Sequence, residues 1–126
     1  DNIAAVIDWE MSTLGDPLTD LALMLAYQQL ALDTPAGAEA FVTDAPKAAG
    51  YLSMDEVTER YASASGRDVR ELGFHLALAY FKLAVILEGI YVRFSQGQTL
   101  GSGFEDMGNG IFDLVDKGLA ARTSGR

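Results

Sequence analysis

Between residues 72 and 94 the chain reads LGFHLALAYFKLAVILEGIYVRF, a run in which Lys82, Glu88 and Arg93 are the only charged side chains. A helix built from such a run is apolar on nearly every side. It has no broad face to give to water, so the other elements must pack around it. The pattern predicts one long central helix over about residues 69–96, started by a box-like Asp68-Val69-Arg70-Glu71 with Asp68 as its cap. With Lys82 and His75 inside it, the run falls short of the uncharged stretch expected of a membrane span, and no membrane is expected as a partner.

The remaining elements are set by capping and turn chemistry. Asp16 followed by Pro17 is an N-cap and first helical residue, which opens a helix to about Leu32. Its Leu18, Leu21, Leu25 and Leu30, with Leu23, Met24 and Tyr27, leave Gln28 and Gln29 as its clearly polar face. Residues 33–52 carry Pro35, Gly37, Pro46 and Gly50 and read as a loop with a short helical piece around 38–43. Ser53-Met54-Asp55-Glu56 is a capping box whose helix stops at Gly66, with Met54, Val57, Tyr61 and Ala64 facing inward. Ser102 to Glu105 opens a last helix to about Ala121, weakened by Gly108, Gly110 and Gly118. Ahead of them all, Ile3 to Ile7 is a short β-type run that needs a pairing partner. The fold class is mainly α, with one short N-terminal strand or hairpin arm.

Composition excludes several functions. A length of 126 residues, 49% of them hydrophobic, suits one domain with a real core. A net charge of −9 leaves no surplus of Lys and Arg to neutralise phosphates, so no nucleic acid is expected as a partner. There is no cysteine, which rules out disulfides and suits a cytoplasmic protein. A single histidine, His75, rules out a multi-histidine metal site within the chain and is most simply a core or edge residue. The sequence opens not on Met but almost at once inside the strand-like run, as a piece of a longer protein would.

Chemistry concentrates in VIDWEMSTLGDPLTDLA, residues 6–22. Asp8 ends the apolar run and Glu10 follows two positions on, with the same side-chain parity if the strand continues. Two carboxylates so placed suit a hard cation such as Mg²⁺, which takes one or two protein oxygens and leaves the rest to phosphates and water. Asp20 lies one turn into the helix, where the dipole favours an acid. Taken alone, D-x-E is as readily a pair of surface acids, and Asp20 a first-turn helix acid. The Gly-rich stretch 101–110 follows no strand and does not match a phosphate-binding loop.

The same stretch resembles the aminoglycoside phosphotransferase-like kinases, in which "hydrophobic-I-D-W-E" and "G-D-P-x-x-D-L-A" follow a catalytic loop of the H-G-D-x-x-x-x-N type. Here they are Val6-Ile7-Asp8-Trp9-Glu10 and Gly15-Asp16-Pro17-Leu18-Thr19-Asp20-Leu21-Ala22. ERYASASGRDV (59–69) and YFKLAVILEGIYVRF (80–94) look like the branch related to acyl-CoA dehydrogenase-associated phosphotransferases. The resemblance implies that residues 1–126 are the helical C-lobe part of a protein-kinase-like α+β fold. It implies that the parent protein transfers the γ-phosphoryl group of ATP to a hydroxyl of a small molecule. Asp8, with Glu10, would bind Mg²⁺; Asp20 would be a buried acid bracing the catalytic loop; Glu88 and Tyr91 would touch substrate near the 33–52 loop and the long helix. The H-G-D-x-x-x-x-N loop, the nucleotide-covering loop and its lysine do not occur in this sequence. No catalytic base is therefore expected in the chain, which should be inactive without the missing N-terminal part of the same protein. A metal-dependent phosphatase with Asp8 as nucleophile is an alternative, though the second Asp and the β/α series it needs are absent. A non-catalytic helical binding module is another. The surface left by a missing lobe also predicts a dimer of the chain, by pairing of the orphan strand.

Overall fold

The structure, a computed structural model, describes residues 3–10, 12–35, 42–99, 104 and 107–123. Its elements are four α-helices and one turn of 3₁₀-helix: α1 (Pro17–Asp33), the 3₁₀ turn (Ala45–Lys47), α2 (Met54–Ser65), α3 (Leu72–Ser95) and α4 (Met107–Thr123). No strand forms among the described residues.

The predicted caps of the first two long elements are in place. Asp16 is extended and accepts a hydrogen bond from the Leu18 N–H at 3.0 Å, with Pro17 at the first helical position. Ser53 Oγ accepts from the Glu56 N–H, and Glu56 Oε2 accepts from the Ser53 N–H at 2.8 Å, which completes the box. That bonding holds the Glu56 carboxyl below its ordinary pKa. Gly66 ends α2 in the left-handed conformation at φ 67°, which a side chain would resist.

α3 starts later than the sequence suggests, because Asp68 does not cap it. Its carboxylate takes the N–H of Arg70 at 2.9 Å and the Arg70 guanidinium at 2.7 Å. A cation two residues away outbids a helix amide for that carboxylate. Glu71 then occupies the N-cap position without a side-chain bond. The side-chain bond from Arg70, followed by its backbone N–H, brings the Asp68 pKa down to about 2.

α3 is the central helix. By length and composition it could cross a membrane, but here it packs against both α1 and α4. Leu72, Leu76, Ala79, Tyr80, Leu83 and Ala84 meet Leu18, Leu21, Leu25 and Leu114 in one apolar cluster. Its burial is not complete all round. Phe74, Leu78, Phe81, Val85 and Val92, spaced as one helical stripe, are exposed, with Phe81 at 63%. On α1, Gln28 is not part of a polar surface: it is buried, and its amide donates to the Leu52 carbonyl at 2.8 Å. Met24, Tyr27 and Leu32 are exposed hydrophobic side chains on that helix.

The glycines of α4 are not simply weak points. A Cβ on Gly108 would sit 3.3 Å from the Tyr91 ring, and one on Gly118 would sit 3.4 Å from the Ala77 carbonyl oxygen. Both let α4 lie close along α3. Gly110 faces open space. The box expected at 102–105 and the helical piece expected at 38–43 fall largely outside the described residues; the turn that is described is Ala45–Lys47, downstream of that piece.

Local packing and charge can be checked directly. Gly110→Ala should raise the urea midpoint, with a gain of up to about 1 kcal/mol in helix propensity. Gly108→Val should lower it, because the added methyls press on the Tyr91 ring at a cost of about 1–3 kcal/mol. In an NMR titration the Asp68 carboxyl should titrate near 2, and Arg70→Gln should return it toward 3.8. Any stability the pair contributes is present above the unfolded value of 3.8 and is lost as pH falls through about 2.

Candidate functional site

The acidic stretch forms an arm rather than a strand. Residues 3–9 form no regular element, and Ile3, Val6, Ile7 and Trp9 are all exposed. The strand expected at Ile3–Ile7 does not form because no segment among the described residues lies beside it to complete a ladder. Within it Asp8 has φ 61°, the one non-glycine described residue in left-handed backbone. Asp is among the few residues that tolerate this conformation, which in general costs about 1–3 kcal/mol for a non-glycine residue. A turn follows, closed by the Ser12 N–H on the Trp9 carbonyl at 2.9 Å. Asp8 and Glu10 are both exposed.

The arm joins the helices at Asp16. Its Oδ1 caps α1, while Oδ2 lies 3.3 Å from His75 Nε2 on α3. The other ring nitrogen of His75, Nδ1, is 3.4 Å from Thr19 Oγ1. His75 is buried, with its ring edge-on to Phe74 at 5.4 Å between centroids. Asp16 is thus more than a cap, and His75 is a core residue with two polar ties. Nothing in the local sequence points to them, since Thr19 and His75 lie 56 positions apart.

The other expected site residues are scattered. Asp20 is exposed on the first turn of α1 rather than buried, since the loop it was expected to brace is not in this sequence. Glu88 is exposed on α3, and Tyr91 is half-buried against Gly108 of α4. Two clefts open elsewhere. One of about 330 Å³ lies between α1 and the following segment, lined by Met24, Tyr27, Gln28, Pro46 and Tyr51 among others. The segment is stapled there by Lys47, whose ammonium donates to the Thr34 carbonyl and to Asp44, each at 2.6 Å. The second, about 610 Å³, lies between α1, α2 and the start of α3, with Leu25, Leu72 and Leu76 in its wall and Asp55 and Thr58 at α2. Neither is lined by Asp8, Glu10, Glu88 or Tyr91.

The donor set can be tested against a cation. No cluster of three or more His, Cys, Asp or Glu side chains occurs among the described residues. What the arm offers is two hard carboxylates open to solvent, which fits Mg²⁺ shared with phosphate and water and does not fit an all-protein cage.

Residues 1–72 match the model of the phosphotransferase enzyme family, and the chain belongs to that family. The match covers the arm, α1 and α2, and therefore Asp8, Glu10, Asp16 and Asp20. Among curated proteins the chain is similar to acyl-CoA dehydrogenase family member 11 of Mus musculus, at 32% identity over 119 residues. It is 30% identical to the protein of the same name from Gallus gallus, again over 119 residues. Acyl-CoA dehydrogenase family member 10 of Mus musculus is 33% identical over 100 residues, 76% of this chain and 9% of that protein. The two family member 11 alignments take in 93% of this chain, which spans 15% of the length of those relatives. No solved structure gives a significant match.

Proposed function

We propose that the chain is the C-terminal helical subdomain of a Mg-ATP-dependent phosphotransferase that passes the γ-phosphoryl group to a hydroxyl of a small molecule. The observation that carries this reading is the family match over residues 1–72, which contains both acidic blocks. The exposed D-x-E of the arm supports it, as both carboxylates are open to a shared cation. Asp8 holds Mg²⁺ and Glu10 assists. When bound, the ion neutralises charge on the ATP phosphates. Asp20, open on the first turn of α1, waits for the catalytic loop of the same protein, which also brings the base that orients the acceptor hydroxyl. Phosphoryl transfer needs these parts together. The chain by itself is therefore inactive.

The acceptor is a hydroxylated, acyl-type molecule, a reading supported by the names of the relatives. Its place is over the helices, near the 33–52 segment and α3, where Glu88 and Tyr91 are the residues to touch it; the cleft lined by Tyr27 and Tyr51 opens beside that segment. The protein works in the cytoplasm, without nucleic acid or membrane. A second reading, a helical binding module with no catalysis, draws on the uncovered stripe of α3.

In the full-length protein, Asp8→Ala should cut kcat by at least about a hundredfold, and Glu10→Ala by less. Steady-state turnover of ATP with a hydroxyacyl acceptor checks this. Full activity in Asp8→Ala would overturn the cation role of Asp8, and no turnover by the unaltered full-length protein would favour the binding module. The isolated chain should self-associate through its unpaired arm and give a dimer mass by light scattering, and Val6→Lys should shift it to monomer.

A further inference from the structure

The arm that presents Asp8 and Glu10 has few ties to the helices. Every described residue from 3 to 16, Asp16 included, is exposed. Among the described residues of this stretch, the first side chain with a polar tie to another element is that of Asp16, and the residue it reaches is His75. One carboxylate thereby does two things. Oδ1 ends the ladder of α1 and Oδ2 faces the imidazole of α3. Thr19 Oγ1, three residues further on, lies 3.4 Å from the other ring nitrogen, Nδ1. The imidazole is inserted between the two polar side chains at the start of α1, and burial in the core on the inner side of α3 prevents it from turning away.

We propose that His75 is a positioning residue for the cation site: it fixes the point and direction in which the Asp8–Glu10 arm leaves the helical body. The inference rests on the reading of Asp8 and Glu10 as the Mg²⁺-holding pair. His75 touches neither of them. It acts through Asp16, six residues beyond Glu10, with the turn at Trp9–Ser12 as the intervening piece. Orientation of ligands by groups further out commonly governs metal affinity. The sequence position of His75, on a different helix from the acids, is what makes the arm's geometry depend on how α1 and α3 are packed.

Three substitutions separate this role from capping and from core filling. Asp16→Ser keeps an N-cap of comparable strength but is too short to reach the ring. His75→Leu keeps apolar volume and removes both polar ties, while His75→Gln keeps a donor directed at Asp16. In the full-length protein, His75→Leu and Asp16→Ser should each raise the Mg²⁺ concentration for half-maximal turnover by about threefold to tenfold, with saturating kcat much less changed. The double variant should be no worse than either alone, since both remove one interaction. His75→Gln should return the Mg²⁺ dependence to within about twofold of the starting protein. In hydrogen exchange, the amides of residues 12–20 should exchange faster in His75→Leu, while those of Ala79–Leu87 in α3 keep their protection. The proposal is overturned if Asp8→Ala abolishes turnover but His75→Leu leaves the Mg²⁺ dependence unchanged, or if the single effects add fully. If Asp8→Ala retains full turnover, the cation reading itself falls and this proposal with it.

Discussion

The structure depends on one contact surface, the inner side of α3 against α1 and α4. Leu25 and Leu114 are fully buried on either flank, and the alanines at 22, 26, 79 and 84 let the helix backbones come near. Removal of this apolar area from water is the main favourable term available to a chain with no cross-links and no sheet among its described residues. It also determines where the chemistry stands. α1 is held by Leu18, Leu21 and Leu25, so its first turn, with Asp16, Thr19 and Asp20, is placed by the same packing that makes the core. Lys117 and Asp33, 3.2 Å apart, join α4 to the far end of α1 and close the arrangement there.

Features governed by near neighbours are legible in the amino-acid sequence itself. Asp16-Pro17 and Ser53 with Glu56 state their helix starts through bonds that span two or three residues. Gly66 states its helix end by the backbone it permits. Local pattern misleads where a distant or stronger partner decides the outcome. Asp68 has Arg70 to pair with and gives up its cap. Ile3–Ile7 has the composition of a strand, but a strand is a relation between segments, and no second described segment lies beside it. Gln28 reads as surface because the Leu52 carbonyl that receives it belongs to a different part of the chain. Gly108 and Gly118 read as weaknesses because their use, close approach to α3, is invisible to propensity.

The candidate site shows the same division. D-x-E and the G-D-P block can be found by pattern and assigned through a family resemblance that the match over residues 1–72 bears out at family level. The geometry that joins them to the body cannot. A buried imidazole between Asp16 and Thr19 is a product of helix packing, and His75 in isolation carries no sign of it. The arm, which carries the proposed cation pair, is exposed along all its described residues. That combination suits a reaction whose parts come from several segments and act only when assembled.

α2 has a different relation to the core. It contains no buried residue, its inner stripe of Met54, Val57 and Tyr61 is only half-covered, and left-handed glycines at 50 and 66 stand on either side of it. Its order comes mostly from its own ends. A helix held this lightly is expected to open at a lower free energy than the α1–α3–α4 assembly. Its detachment would uncover Leu25, Leu72 and Leu76 in the wall of the larger cleft while the three packed helices hold.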